Sequence, residues 1–194
     1  EEIAALVETG ATAVILGSGL IGLKAAEALH QRGMKVVIVE KQEQILPRLL
    51  SPWSATIALR HLQEQGIQVL TGHQAVSISE SGEVELDHGA KIPAQLVIVA
   101  VGNRPNQSLA REAGLKTGKG IIVNQYLQTS DPDIWAAGDV IETHNILSGA
   151  AEVMALLPLA HLEGYLAGCN MAGQAVRYPG AIFLNAVHFM GMHI

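Results

Sequence analysis

A chain of 194 residues, 49% hydrophobic and 15% charged, is long enough for one domain or one domain plus part of another, and too apolar for disorder. The net charge of −6 and the lack of any concentrated basic stretch argue against a nucleic-acid or anionic-membrane surface, and no run reaches the roughly 20 apolar residues that span a bilayer. The single cysteine, Cys169, leaves no intrachain disulfide or CxxC pair and fits a reducing, cytoplasmic setting.

Glu1 to Glu8 reads as the tail of an amphipathic helix, with Ile3, Leu6 and Val7 at helical spacing. Ala13 to Leu16 is a short apolar strand that runs through a glycine turn into a helix over Leu20 to Gln31, closed by Gly33. Lys35 to Val39 is a second buried strand ending at Glu40. Ser51-Pro52 starts a helix, with a hydroxyl cap followed by proline at the first helical position, and Gly66 stops it. Ile67 to Leu70 is a third strand.

The period then changes. Gln74 to Ser79 and Glu83 to Asp87 alternate polar and apolar around Ser81-Gly82, which predicts an antiparallel hairpin. Leu96 to Val101 returns to a continuous apolar strand. Residues 11 to 101 therefore read as an α/β, doubly wound parallel sheet of the Rossmann-like type, with an antiparallel β-meander inserted in one crossover. The breaker cluster Gly102 to Asn106 marks a domain boundary. Beyond it the sequence predicts a short helix at Ser108 to Ala113, strands at Ile121 to Val123 and Ile134 to Ala137, and a long helix from Pro158 to Met171. The apolar stretch Ala181 to Met190 reads as strand. The expected organisation is a dinucleotide-binding domain over 1–102, a second segment over 103–175, and the start of a further segment over 176–194. Both ends read as cut, so the chain is expected to be a fragment of a longer protein.

Gly17-Ser18-Gly19-Leu20-Ile21-Gly22 is a GxGxxG turn between a buried strand and a helix. The first glycine permits the turn, the second lets a pyrophosphate approach the backbone, and the third lets helix and strand pack closely. The helix N-terminus offers free N–H groups to the phosphates. Glu40 ends the next strand 18 residues past Gly22, where a carboxylate accepts from adenosine ribose hydroxyls. A carboxylate there favours NAD(H) over NADP, since it repels a 2′-phosphate. Lys41, directly after it, softens that preference.

Three stretches in order carry a wider resemblance: the glycine turn with Ala25-Ala26-Glu27-Ala28-Leu29, Val99 to Asn106, and Thr129 to Val140 with its Ala136-Ala137-Gly138-Asp139. Together they resemble the pyridine nucleotide-disulfide oxidoreductase family, in the branch of rubredoxin, ferredoxin and nitrite reductase flavoproteins. The resemblance implies two cofactors, NAD(H) and FAD. It implies that the second segment is the returning part of an FAD domain. It places Gly102 in the crossover between domains, Gly138 and Asp139 at the FAD ribitol, and the helix start Leu157-Pro158 facing the flavin ring. It implies hydride passage from NADH to flavin and on to an unknown acceptor, a small redox protein or a small molecule. The chain departs from the family at Lys24, where many relatives carry Glu near the nicotinamide, and it lacks the redox cysteine pair and the family's N-terminal FAD segment.

No side chain is expected to act as acid or base, because the chemistry belongs to the cofactors. The eight histidines are scattered without zinc-type spacing, so no metal site is expected; only His161, near the flavin-facing helix, stands out. Trp53 is expected to pack on the sheet, Cys169 to be buried, and Gly164, Ala167 and Gly168 to form a closely packed small-residue face. A homodimer stays open. The competing reading is a non-catalytic nucleotide-sensing or assembly module with the same fold.

Overall fold

A computed structural model describes residues 7–184 and 186–194, so the expected helix tail at the start falls almost entirely outside the described residues. The chain forms two compact units. The first comprises Glu1–Gly102 together with Ala186–Ile194, and the second Asn103–Asn185. The stretch 176–194 is therefore not a segment of its own: it is divided between the two units.

In the first unit, β1 (Thr12–Leu16), β2 (Lys35–Glu40), β3 (Gln68–Thr71) and β7 (Leu96–Val99) form an all-parallel sheet in the order β3-β2-β1-β7. β1 pairs in register with β2 on one side and β7 on the other, Val14 opposite both Val37 and Val97. The apolar runs exist because both faces of the sheet are covered. Ala13, Ile15, Val36 and Ile38 point to one face, where α1 (Leu20–His30) and α2 (Pro52–Glu64) bury Leu23, Ala26, Ala58 and Leu62. Val14, Leu16, Val37 and Val39 point to the other face, against Val84, Leu86 and Ala94. Val84 and Leu86 belong to the antiparallel sheet β4 (Ala75–Ile78), β5 (Glu83–Leu86) and β6 (Lys91–Pro93), and Ala94 directly follows its last strand. A meander thus replaces the helical layer that a regular crossover would place there. Its third strand escapes a periodicity reading because it is three residues long, lies at an edge and contains Pro93.

α2 has the expected cap: Ser51 Oγ accepts from Ser54 N at 3.3 Å, with Pro52 at the first position. Trp53 does not pack on the sheet; at 75% exposure it lies on the outer face of this helix. The helix buries Ala55, Ala58 and Leu62, a stripe that leaves position 53 outside.

The last nine residues fold back onto the first unit as a hairpin of β11 (His188–Phe189) and β12 (Met192–His193). Among the described residues the expected continuous strand over 181–190 is broken: Ala181 makes an isolated bridge to Asn145, and pairing resumes at Val187, which exchanges backbone hydrogen bonds with Ile194. Phe189 is fully buried in the helical core layer. Glu27 on α1 accepts from Met190 N at 2.6 Å, Lys24 pairs with Glu27 and donates to the His188 carbonyl at 3.0 Å, and His61 Nε2 bonds the Met190 carbonyl at 2.7 Å. The Lys24 ammonium, first, and the Met190 N–H hold the Glu27 carboxyl below its ordinary pKa.

The second unit contains α3 (Ser108–Glu112), a small sheet of β8 (Ile121–Ile122), β9 (Ile141–His144) and β10 (Ala151–Glu152), and α4 (Leu157–Met171). Its core gathers Leu127, Ile141, Met154, Leu166, Ala167 and Tyr178. The expected strand at 134–137 is not one. Only Trp135 pairs, in a bridge to Gln128, and the pairing strand is β9, downstream of the Gly138 turn. α4 also packs differently from expectation. Gly164 and Gly168 face open space, whereas Glu163, Leu166, Ala167 and Asn170 form the buried face; Cys169 is half-buried. Asn170 staples the chain on either side, donating to the Tyr126 and Val176 carbonyls and accepting from Val176 N.

Candidate functional site

The strand order reverses at β1, with β2 on one side and β7 on the other, and the C-terminal ends of these strands frame a crevice where open α/β sheets bind ligands. The glycine turn leaves β1 at that edge. Its three glycines have three different environments. Gly17 has φ +103°, donates to the Val39 carbonyl at 2.8 Å, and would place a Cβ 2.4 Å from the Ala100 carbonyl oxygen. Gly22 would place a Cβ 2.1 Å from the Gly17 carbonyl oxygen. No described atom comes within 4 Å of a Cβ built on Gly19. Two glycines are therefore required by the protein's own packing, and the third leaves space beside the backbone.

That space adjoins the start of α1. Gly19 is its N-cap, and among the described residues no side chain caps its first N–H groups, in contrast to α2 and its Ser51. An uncapped helix of 11 residues presents donors and the positive end of its dipole, the combination that holds phosphate. Leu20 is half-buried and Ile21 is 70% exposed, so they shape the outer surface of the turn.

Glu40 ends β2 and is buried beside the turn. Its Oε2 accepts from Ser18 N at 2.8 Å and Ser18 Oγ at 2.6 Å, and its Oε1 accepts from Gln42 N at 2.9 Å. The carboxylate thus clamps the glycine turn to the end of β2. A carboxylate has about four acceptor positions, so three donors leave one available. Ser18, expected as part of the cofactor-binding turn, is fully buried and spends both its N–H and its hydroxyl on Glu40. Lys41 is exposed. Gly102, with φ +97° and open surroundings, lies just beyond β7, whose continuation Ala100 donates to the Leu16 carbonyl at 2.7 Å.

Gly138 and Asp139 lie in the second unit, in the turn between Trp135 and β9. Gly138 has φ +81° and would place a Cβ 3.4 Å from that of Ala160 on α4. Its N–H donates to Glu163 Oε2 at 2.9 Å, and the other oxygen of Glu163 accepts from Tyr178 Oη at 2.7 Å. Asp139 itself is exposed. Burial, opposed by these two hydrogen bonds, raises the Glu163 pKa, and the Asp139 charge adds to the rise. Burial and the Glu163 carboxylate push the Tyr178 hydroxyl up as well. Glu163 and Tyr178, 15 residues apart, fix the turn that presents Asp139; neither has a local sequence signature. α4 also begins without a side-chain cap, behind Leu156 and with Pro158 in its first turn, and His161 is exposed nearby on the same helix.

The profile of the family described as pyridine nucleotide-disulphide oxidoreductase matches residues 2–164. The NAD(P)H sulfur oxidoreductase (CoA-dependent) of Pyrococcus furiosus is 34% identical over 93% of this chain and 42% of its own length. The rubredoxin-NAD(+) reductase of Pseudomonas putida is 30% identical over 90% of this chain and 46% of its own. The solved NAD-dependent persulfide reductase from A. fulgidus superposes with a TM-score of 0.93 at 33% identity, over 97% of this chain and 36% of that one. The chain therefore spans less than half the length of each of these proteins. With the parallel sheet, the glycine turn and a match over more than half its length, the chain belongs to the pyridine nucleotide-disulphide oxidoreductase family.

Proposed function

We propose that the chain is the NAD(H)-binding portion of an FAD-dependent oxidoreductase that takes hydride from NADH and delivers electrons to a small redox protein or small molecule. The observation that carries this reading is the asymmetry of the glycine turn: Gly17 and Gly22 are enforced by packing, and Gly19 is open beside an uncapped helix N-terminus. The pyrophosphate would lie against Gly19 and accept from the first N–H groups of α1. Glu40 would use its remaining acceptor position on the adenosine ribose, held in place by Ser18 and Gln42. Leu20, Ile21, Lys41 and Gly102 would border the bound dinucleotide. The relatives' names support a nicotinamide substrate, as NAD(P)H sulfur oxidoreductase and rubredoxin-NAD(+) reductase.

For FAD, the fit rests on the second unit. Asp139 is exposed on a turn made rigid by Glu163, and α4 starts without a cap. The carboxylate of Asp139 would accept from the ribitol, and the α4 N–H groups would offset negative charge on the ring system. When bound, the flavin supplies the hydride-accepting chemistry. The chain's own residues bind and orient; none is assigned a proton.

Anaerobic mixing of the full-length protein with NADH tests this. Bleaching of the visible flavin absorbance is expected. NADH binding without bleaching would favour the sensing module instead. In the binding site, Glu40→Arg should shift the NADPH-to-NADH preference upward by at least about tenfold, and unchanged selectivity would remove Glu40 from the ribose role.

A further inference from the structure

Outside the glycine turn, the described residues gather two histidines and a carboxylate on the meander side of the first unit. β3 ends at Thr71, Gly72 turns the chain at φ +73°, and His73 follows just before β4. Asp87 and His88 form the turn between β5 and β6. Strand pairing brings these positions together: Asp87 N donates to the Gln74 carbonyl at 3.0 Å, and Gln74 N donates to Asp87 Oδ2 at 3.3 Å. His73 Nδ1 and His88 Nδ1 each lie 3.3 Å from Asp87 Oδ1. The three ligand atoms are within 4.8 Å of one another, and the two rings are 4.3 Å apart at 40°.

Zinc binds imidazole nitrogen and carboxylate oxygen at about 2.0–2.2 Å, so neighbouring ligand atoms of a tetrahedral site are about 3.4 Å apart. Both nitrogen–oxygen separations here match that edge. The Asp87 carboxylate is already oriented by Gln74 N through its second oxygen, the outer-shell support that metal ligands use. All three side chains are between one third and one half exposed, which gives an ion access and leaves room for water. Two neutral imidazoles and one carboxylate give a donor set of charge −1, suited to a dication. Nitrogen donors select the zinc, copper and nickel class over magnesium and calcium.

We propose that His73, Asp87 and His88 bind a divalent transition-metal ion of the zinc class, completed by water. The ion would join the start of β4 to the β5–β6 turn and so close the meander upon itself. Because it binds the folded arrangement, it would stabilise that unit in proportion to its occupancy.

The test uses the tag-free full-length protein after chelation, titrated with Co(II) and followed by ligand-field absorption. One saturable equivalent is expected. His73→Ala and His88→Ala should each weaken it by more than about tenfold, since loss of outer-shell support alone costs that much. His193→Ala, which alters the separate His188–His193 pair, should leave it unchanged. The proposal is overturned if the wild type shows no saturable binding, if both meander variants bind as well as the wild type, or if equimolar Mg(II) displaces the Co(II). NADH binding is measured in the same samples and should be unaffected, which separates this site from the nucleotide site.

Discussion

Alanine at position 19 and alanine at position 22 add the same methyl group to the same turn, three residues apart, and should act on different properties. At Gly22 the new Cβ would sit 2.1 Å from a backbone oxygen that belongs to Gly17 and cannot move without disturbing the β1–β7 edge. Overpacking of this kind costs about 1–3 kcal/mol, and more where the obstacle is backbone. At Gly19 the Cβ meets no described atom within 4 Å, and φ −71° with ψ 178° suits alanine. The lower chain entropy of alanine and its poorer N-cap preference nearly offset, leaving stability within about 1 kcal/mol of wild type. The same methyl stands where a pyrophosphate would contact the backbone. Loss of one charge-assisted hydrogen bond is worth about 1.5–3 kcal/mol, which raises the NADH dissociation constant roughly ten- to 150-fold. Denaturant unfolding and calorimetric NADH titration on both variants give the four values needed. Wild-type affinity in Gly19→Ala, or a greater stability loss at 19 than at 22, would refute the assignment of roles within the turn.

Glu163 makes the stability of the second unit depend on pH. Its pKa is raised in the folded state, so the group contributes stability that is fully present below the ordinary carboxylate value of 4.5 and is lost as pH rises through the folded value. The stability difference between wild type and Glu163→Gln should therefore shift against the wild type between mildly acidic and alkaline buffer; a flat difference would show that Glu163 titrates normally. Phe189→Ala removes a fully buried ring from the helical core layer and should cost about 3–5 kcal/mol in urea unfolding of the first unit. A loss under about 1 kcal/mol would mean that the hairpin merely rests on the surface.

The parallel sheet was legible because each strand is a run of β-branched residues bounded by breakers, and because the Ser51-Pro52 start and Gly66 stop are local signals. The glycine turn was legible for the same reason: its residues are adjacent. What escaped depends on contacts between distant residues. Glu40 reads from the sequence as a ribose ligand only, whereas its three protein donors come from Ser18 and Gln42. Asp139 reads from the sequence as a strand end, but the pairing strand lies after it, because Gly138 at positive φ sits in a turn that Glu163 completes from α4. The α4 glycines read from the sequence as a packing face because small residues permit close approach; the helix instead turns Glu163 and Asn170 inward, where each finds hydrogen-bond partners. His73 and His88 are 15 positions apart and meet only through the register of the meander.

Residues Ala186–Ile194 can join the first unit only after the second has been synthesised. Phe189 fills a core whose other buried members all lie at or before Leu96. During synthesis from the N-terminus, the sheet and its two helices emerge with that position empty, and the whole of Asn103–Asn185 must leave the ribosome before it is filled. A nascent chain halted at Gly102 would carry an uncovered apolar hollow between α1 and α2, bordered by Glu27 and His61 without the backbone partners they have at Met190. The first unit thus begins translation before the second, yet its core is closed only by residues that follow the second.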